Sequence, residues 1–321
     1  MHEIDDAPER AAALFERMAP GLPPPTAVRR EPLTLAGVST WGVRAQGGLA
    51  YRLKVAIDTR GAALVRRGAE LLGLLTSRGV PVPSSVAVRA AAPGSDVAVA
   101  LETRLGTSDA RTAWHILGTE GRVALAEDMA HGLWLLHRLS VADLGPWGVP
   151  ARGPVRPWRE TLLGRIARQM DRLRDADRLP ADLTAAYEAR LCRHAEAVPD
   201  EVERRPVHGS FGLESVAVQR RAYTGMRDVE VAGAGDPWED VATFLVSTGE
   251  PGAASTRRFL ETYAGHVAPP PDVHTRLDLY EGLVLLRVLV RLCGEGMDAE
   301  WGGLEEATAS YVSTPPLRWW W

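Results

Sequence analysis

Along the first hundred residues, apolar and polar positions come in short runs broken by glycine and proline; beyond about residue 105 they shift to helical spacing. The early runs at 34–43, 49–57, 85–90 and 96–103 are rich in β-branched residues and bounded by turn formers, which predicts strands. One helix is predicted among them over about 60–78. Leu64, Leu71, Leu72 and Leu75 recur there near helical spacing, and Gly79-Val80-Pro81-Val82-Pro83 ends it. Past residue 106 the spacing predicts amphipathic helices at 121–139, 158–174, 183–197, 255–266 and 274–293. In the first of these, Leu125, Met129, Leu133 and Leu136 follow at three- and four-residue intervals, the signature of a core-facing stripe. A β-rich island at 207–231 interrupts the helices. The change of period divides the chain into a β-rich part, 1–105, and a helical part, 106–321, with a short connector at 102–106. No internal repeat or long low-complexity tract is visible.

Composition narrows the function classes. A chain of 321 residues, 45% of them hydrophobic, suffices for one large domain or two lobes with a substantial core. The formal net charge is −4, and acids and arginines interleave throughout. No polybasic surface for phosphate backbones or anionic lipid is indicated, so neither nucleic acid nor a membrane is an expected partner. Residues 1–19 lack the pattern of a secretion signal, and the longest apolar stretch, 282–292, is broken by Arg287 and Arg291. A cytoplasmic location is the expectation. Cys192 and Cys293 have no metal-ligand spacing and read as reduced core residues. Lys54 is the only lysine among 37 basic residues, in the strand-like run Tyr51-Arg52-Leu53-Lys54-Val55. A position that keeps an ammonium where arginine is used everywhere else points to a need for a compact point charge.

A β-rich lobe with one helix, a connector, and a helical lobe holding a β island is the layout of a two-lobed, α+β, protein-kinase-like fold. The island carries His208-Gly209-Ser210-Phe211-Gly212-Leu213-Glu214-Ser215, then Arg227-Asp228-Val229-Glu230, then Gly235-Asp236-Pro237-Trp238-Glu239-Asp240-Val241-Ala242. This series resembles the aminoglycoside phosphotransferase family, whose pattern is HGD, four residues, N, a strand with I-D-x-E/D, then GDPxxDLA. Tyr51 to Val55, Arg66-Arg67-Gly68-Ala69-Glu70 with the Val80-Pro81-Val82-Pro83 stretch, and Leu144-Gly145-Pro146-Trp147 extend the likeness over about 33–265.

The resemblance implies a site and also shows what has changed in it. Ser210 stands in place of the catalytic Asp, and Ser215 in place of the Asn that binds magnesium. The helix glutamate that pairs with the lysine falls on Gly68. Glu70 lies about 200° further round the helix and so cannot substitute. His208 is implied to be a loop brace, and Asp236 and Asp240 fold-supporting acids, at least one capping a helix near Pro237. Lys54 stands where the family's lysine meets the nucleotide phosphates, and Asp228 where its main magnesium ligand lies. Glu230, two residues on in a segment taken as extended, would share the face of Asp228 as a second metal ligand. Gly37, Ser39 and Thr40, in the piece Ala36-Gly37-Val38-Ser39-Thr40-Trp41-Gly42, occupy the place of the phosphate-covering turn. Glu102 and Arg104 of the connector join the nucleotide-side residues.

ATP or another nucleoside triphosphate, with magnesium, is therefore the implied cofactor pair. Asp228 has a second reading, a buried relic bonded to backbone amides. A hydroxyl is a poor base near neutral pH, and losing a base typically removes ~10²- to 10⁴-fold in rate. Two functions follow. One is a nucleotide-binding but catalytically impaired protein, a pseudokinase, serving as a binding or scaffold subunit or an atypical transferase in bacterial natural-product or peptide modification. The other is an active ATP- and magnesium-dependent phosphotransferase on a hydroxyl of an antibiotic-like molecule or peptide. The chain ends Pro315-Pro316-Leu317-Arg318-Trp319-Trp320-Trp321, an apolar tail that packs on its own lobe or meets a protein partner or a second copy.

Overall fold

The computed structural model describes residues 7–31, 37–90, 98–148, 156–250, 252–295 and 301–314. Ala36 and the tail Trp319-Trp320-Trp321, with the partner expectation attached to it, lie outside the described residues.

Five strands, β1 (Pro25–Arg30), β2 (Val38–Ala45), β3 (Ala50–Ala56), β4 (Ser85–Ala90) and β5 (Ala98–Thr103), form an antiparallel sheet in the order β1-β2-β3-β5-β4. Two helices cover it. The amphipathic α1 (Pro8–Met18), which the hydrophobic pattern had not suggested, buries Ala11, Leu14 and Phe15 against Trp41, Val43, Tyr51, Leu53, Val55, Val99 and Leu101. On the other face α2 (Thr59–Ser77) packs Ala62 and Val65 against Val38, Ala56, Ala98 and Ala100.

The alternation of side chains along a strand therefore sorts β3 into two sets: Tyr51, Leu53 and Val55 face α1, while Arg52 and Lys54 face α2. Both sets are buried, so the usual cue of a polar outer face is missing from this strand. Asp58 caps α2 by accepting from Gly61 N at 2.6 Å, worth about 1 kcal/mol. At the other end Gly79 turns the chain out of the helix with φ +76°, and Val80 N bonds back to Leu75 O.

Mainly helical structure follows: α3 (Ala110–Ile116), α4 (Thr119–His137), α5 (Trp158–Asp175), α6 (Ala181–Ala197), α7 (Trp238–Thr248), α8 (Ala254–His266), α9 (Val273–Glu295) and α10 (Trp301–Ser313). A single core joins these helices to the inner side of α2 through Leu71, Leu72 and Leu75. Two small sheets sit among them, β6 (Ser108–Asp109) with β8 (Val216–Gln219) and β9 (Ala222–Met226), and β7 (Arg205–Val207) with β10 (Gly233–Gly235). These make up the β island and hold its loops against α7. Cys192 and Cys293 are free, half-buried thiols. No helix among the described residues is long and apolar enough to cross a membrane.

Candidate functional site

The α2-facing side of β3 builds the site. Arg52 and Lys54, two residues apart on one face, both reach the segment 228–230, which is brought to them from the far side of α2. Lys54 is fully buried and forms ion pairs with Glu102 at 3.0 Å, with Asp228 at 3.4 Å and with Glu230. Arg52 donates from Nε to Glu31 at 2.8 Å and from Nη1 to Asp228 Oδ1 at 2.8 Å. Arg104 lies 3.5 Å from Glu31, and Arg227 Nε lies 3.9 Å from Asp228. Arg227 also pairs with Asp109 at 3.5 Å, so five carboxylates and four cations face one another in one cluster.

Its electrostatics follow from burial set against this pairing. Burial alone would lower the pKa of Arg52 and of Lys54. The surrounding acids outweigh it and hold both above their ordinary values. Burial would raise Asp228, but Arg52, Lys54 and Arg227 hold its carboxyl well below the usual carboxylate range. Glu102 goes the other way: burial pushes it up, Lys54 only partly offsets that, and Glu230 adds repulsion.

The segment 228–230 departs from the extended geometry expected of it. Asp228 is in the left-handed region (φ 63°, ψ 43°) and Val229–Val231 form a 3₁₀ turn. Aspartate tolerates this conformation better than most residues. The turn swings Glu230 under α2 at Gly68: a Cβ built on Gly68 would fall 2.6 Å from Glu230 Cγ. The carboxylate partner of the lysine, absent from helix α2, is thereby supplied from the opposite side of the cleft. Glu70 is elsewhere, accepting from Trp147 Nε1 at 3.0 Å.

The loop at 207–216 is braced from below. Asp240, in the first turn of α7, accepts from His208 N at 2.6 Å and Gly209 N at 2.8 Å, and is held in turn by His137 Nε2 at 3.1 Å. The His208 ring is completely buried and donates from Nε2 to Arg227 O at 2.8 Å, tying this loop to the segment that carries Asp228. Asp236 accepts from Trp238 N at 3.1 Å at the start of α7, and from Arg276 and Tyr280. Ser210 is exposed at the tip of the braced loop. Ser215 is buried; its hydroxyl accepts from Gly212 N and donates to Gly212 O, both at 3.0 Å. Arg287 of α9 donates to Gly209 O beside the tip.

Ser39 and Thr40 are buried inside β2, with Thr40 paired across from Lys54. Gly37 (φ +84°) closes onto α2, where a Cβ on Gly61 would lie 1.6 Å from Gly37 O. Of the expected residues, Lys54, Glu102, Asp228 and Glu230 come together, Arg104 joins through Glu31, Ser215 adjoins through its backbone with its carbonyl accepting from Arg227 N at 2.8 Å, and Ser210 is exposed on the loop. Arg52 and Glu31 were overlooked. The two-residue spacing from Lys54 was the available signal for Arg52; nothing local to Glu31 marks it.

A divalent ion in the family pattern would need Asp228, a second carboxylate and the Asn place. Here Arg52 holds Asp228 Oδ1 and Lys54 holds Glu230 Oε1, Ser215 is closed on its own loop, and Glu230 Oε2 is buried without a hydrogen-bond partner. The arrangement does not fit a metal ion. Among the described residues no group of three or more His, Cys, Asp or Glu side chains is placed to hold one.

A sheet lobe with a buried lysine, an acid-anchored loop and a helical lobe define the class: a two-lobed kinase-like fold. The family model of the Phosphotransferase enzyme family matches residues 36–280, and the chain belongs to that family. No curated protein sequence matches it. Among solved structures it is similar to the apoenzyme of macrolide 2'-phosphotransferase MphH from Brachybacterium faecium, with TM-score 0.65 and 19% identity over 97% of this chain and 100% of that one. It is also similar to a thermostable mutant of aminoglycoside phosphotransferase APH(4)-Ia in ternary complex with ADP and hygromycin B, with TM-score 0.67 and 16% identity over 94% of this chain and 96% of that one. The GDP complex of aminoglycoside 2'-phosphotransferase-IIIa gives TM-score 0.71 and 15% identity over 96% of this chain and 99% of that one.

Proposed function

We propose that this protein binds a nucleotide at Lys54 and is impaired in ordinary phosphoryl transfer, serving as a binding or scaffold subunit, or an atypical transferase, in bacterial natural-product or peptide modification. One observation carries the reading: Lys54 is fully buried and held by Glu102, Asp228 and Glu230, while the exposed place of the family's catalytic Asp holds Ser210. The positively charged side of phosphate recognition persists, and the base is gone. Similar structures bound to ADP and GDP support the nucleotide part. Their names, macrolide and aminoglycoside phosphotransferases, support a small-molecule ligand and favour the second reading, an active phosphotransferase on an antibiotic-like hydroxyl or a peptide.

Calorimetric titration of ATP into the wild type and into Lys54→Ala tests the nucleotide part. Binding that disappears in Lys54→Ala supports it, and no binding to the wild type at high micromolar ATP sinks it. Transfer of labelled γ-phosphate to macrolide, aminoglycoside or peptide acceptors at rates well above solvent hydrolysis would decide for the second reading.

A further inference from the structure

We infer that the imidazoles of His131 and His266 form a zinc site between α4 and α8, on the helical lobe and apart from the cluster around Lys54. The site does not depend on whether a nucleotide binds.

Two distances carry it. His131 Nδ1 lies 3.4 Å from His266 Nε2, and the ring centres are 5.3 Å apart. A tetrahedral zinc ion holds imidazole nitrogens at about 2.0–2.1 Å, which sets two of them about 3.3–3.4 Å apart. With both lone pairs aimed at the ion, the ring centres would stand about 5.2 Å apart. A direct hydrogen bond fits less well: 3.4 Å is long for one, and a straight bond of that length would put the centres about 5.7 Å apart. Both rings are exposed, so an ion can enter with water in its remaining positions, the open form of a zinc site. Imidazole suits zinc, copper and nickel; the wide tetrahedral edge favours zinc over the square geometry of copper, whose neighbouring nitrogens stand about 2.8 Å apart.

The rings are held before any ion arrives. Trp134, one turn on from His131, stacks on His266 with centroids 4.3 Å and planes 16° apart, and Arg138 covers that indole at 5.4 Å. Two other links fix the register of the helices. Arg258 donates twice to Glu127, at 2.9 and 2.8 Å, and Tyr263 donates its hydroxyl to His137 Nδ1 at 2.6 Å. Burial and the facing His131 hold His266 below its ordinary pKa, which favours the neutral ring that binds a metal. The site also bears on the loop at 208–209. His137 of α4 holds Asp240 beneath that loop, and Tyr263 of α8 holds His137. An ion joining α4 to α8 therefore stiffens the brace.

The test uses the full untagged chain and Zn²⁺ alone as the probe, in calorimetric titration and in thermal denaturation. The wild type is expected to bind zinc at micromolar concentration and to melt at a higher temperature with it, by mass action on the folded state. His131→Gln and His266→Gln should each weaken binding about tenfold or more and abolish the rise in melting temperature. Both residues are exposed, and circular dichroism of each variant checks the fold. No binding by the wild type at about 100 µM zinc overturns the inference. Binding that either variant retains in full overturns it as well, and would place the ion on other groups such as Cys192 or Cys293.

Discussion

The carboxylate of Glu230 fills the space where a side chain on Gly68 would stand, with a Cβ on Gly68 falling 2.6 Å from Glu230 Cγ. The missing helix glutamate and the displaced acid are thus two sides of one exchange. Glycine in a helix costs about 1 kcal/mol relative to alanine, and this one is retained where the neighbouring element needs the room.

Gly68→Ala is therefore expected to lower stability, opposite in sign to the gain that helix propensity alone predicts. The clash forces Glu230 or α2 to shift, and overpacking of this kind costs typically 1–3 kcal/mol. Urea denaturation followed by circular dichroism reads it. A variant as stable as the wild type or more so would mean that Glu230 leaves the pocket freely.

Asp228→Asn removes the acid shared by Arg52 and Lys54 and leaves a buried guanidinium with Glu31 as its remaining close acid. Breaking one side of a buried pair costs about 3–5 kcal/mol, so a large drop in denaturation midpoint is expected. Combining it with Arg52→Met should recover part of the loss, because the unpaired charge then goes too. Additive losses in that double-mutant cycle would show that the two side chains are not coupled.

Ser210→Asp with Ser215→Asn restores the residue types of the family pattern. Transfer of γ-phosphate to water or to small-molecule hydroxyls is nonetheless expected to stay at background, because Arg52 still occupies Asp228. A rise of about 10²-fold or more, the scale of a restored base, would show that the cluster opens during turnover.

Glu281 of α9 gives the pH prediction. Burial, with the charge of Asp278 added, pushes its carboxyl up to about 8, against an ordinary value of 4.5. The native state then holds a proton that the unfolded state releases between those values. This contribution is fully present below about 4.5 and is lost as pH rises through about 8. In that window it lowers stability by at most about 1.4 kcal/mol per pH unit. Glu281→Gln, compared with the wild type by denaturation across pH 4 to 9, should remove that slope and be the more stable protein at the alkaline end. Parallel curves would overturn it.

Much of the fold was legible because its cues are local. The strands at 50–56 and 85–90 and the helices at 59–77 and 158–175 fall within a few residues of their predicted bounds, since period-two and period-3.6 patterns are written in consecutive side chains. Helix α1 was not found, because its apolar face is only Ala11, Leu14 and Phe15, and its meaning depends on the sheet that it covers. The loop motif likewise marked His208 and Asp240, which brace the loop in the structure, since a backbone shape that must be braced at fixed spacing leaves its residues in the sequence.

Charge pairing is another matter. Arg52 and Asp228 are 176 residues apart, and no rule of spacing connects them. The extended reading of 228–230 put Glu230 on the metal's side; the left-handed turn at Asp228 sends it to Lys54 instead. Sequence by itself determined the family and the architecture, because those depend on residue identity within short segments. Only the tertiary structure decided which cation neutralises which acid, because burial makes that choice among every charge brought within a few ångströms, whatever its place in the chain.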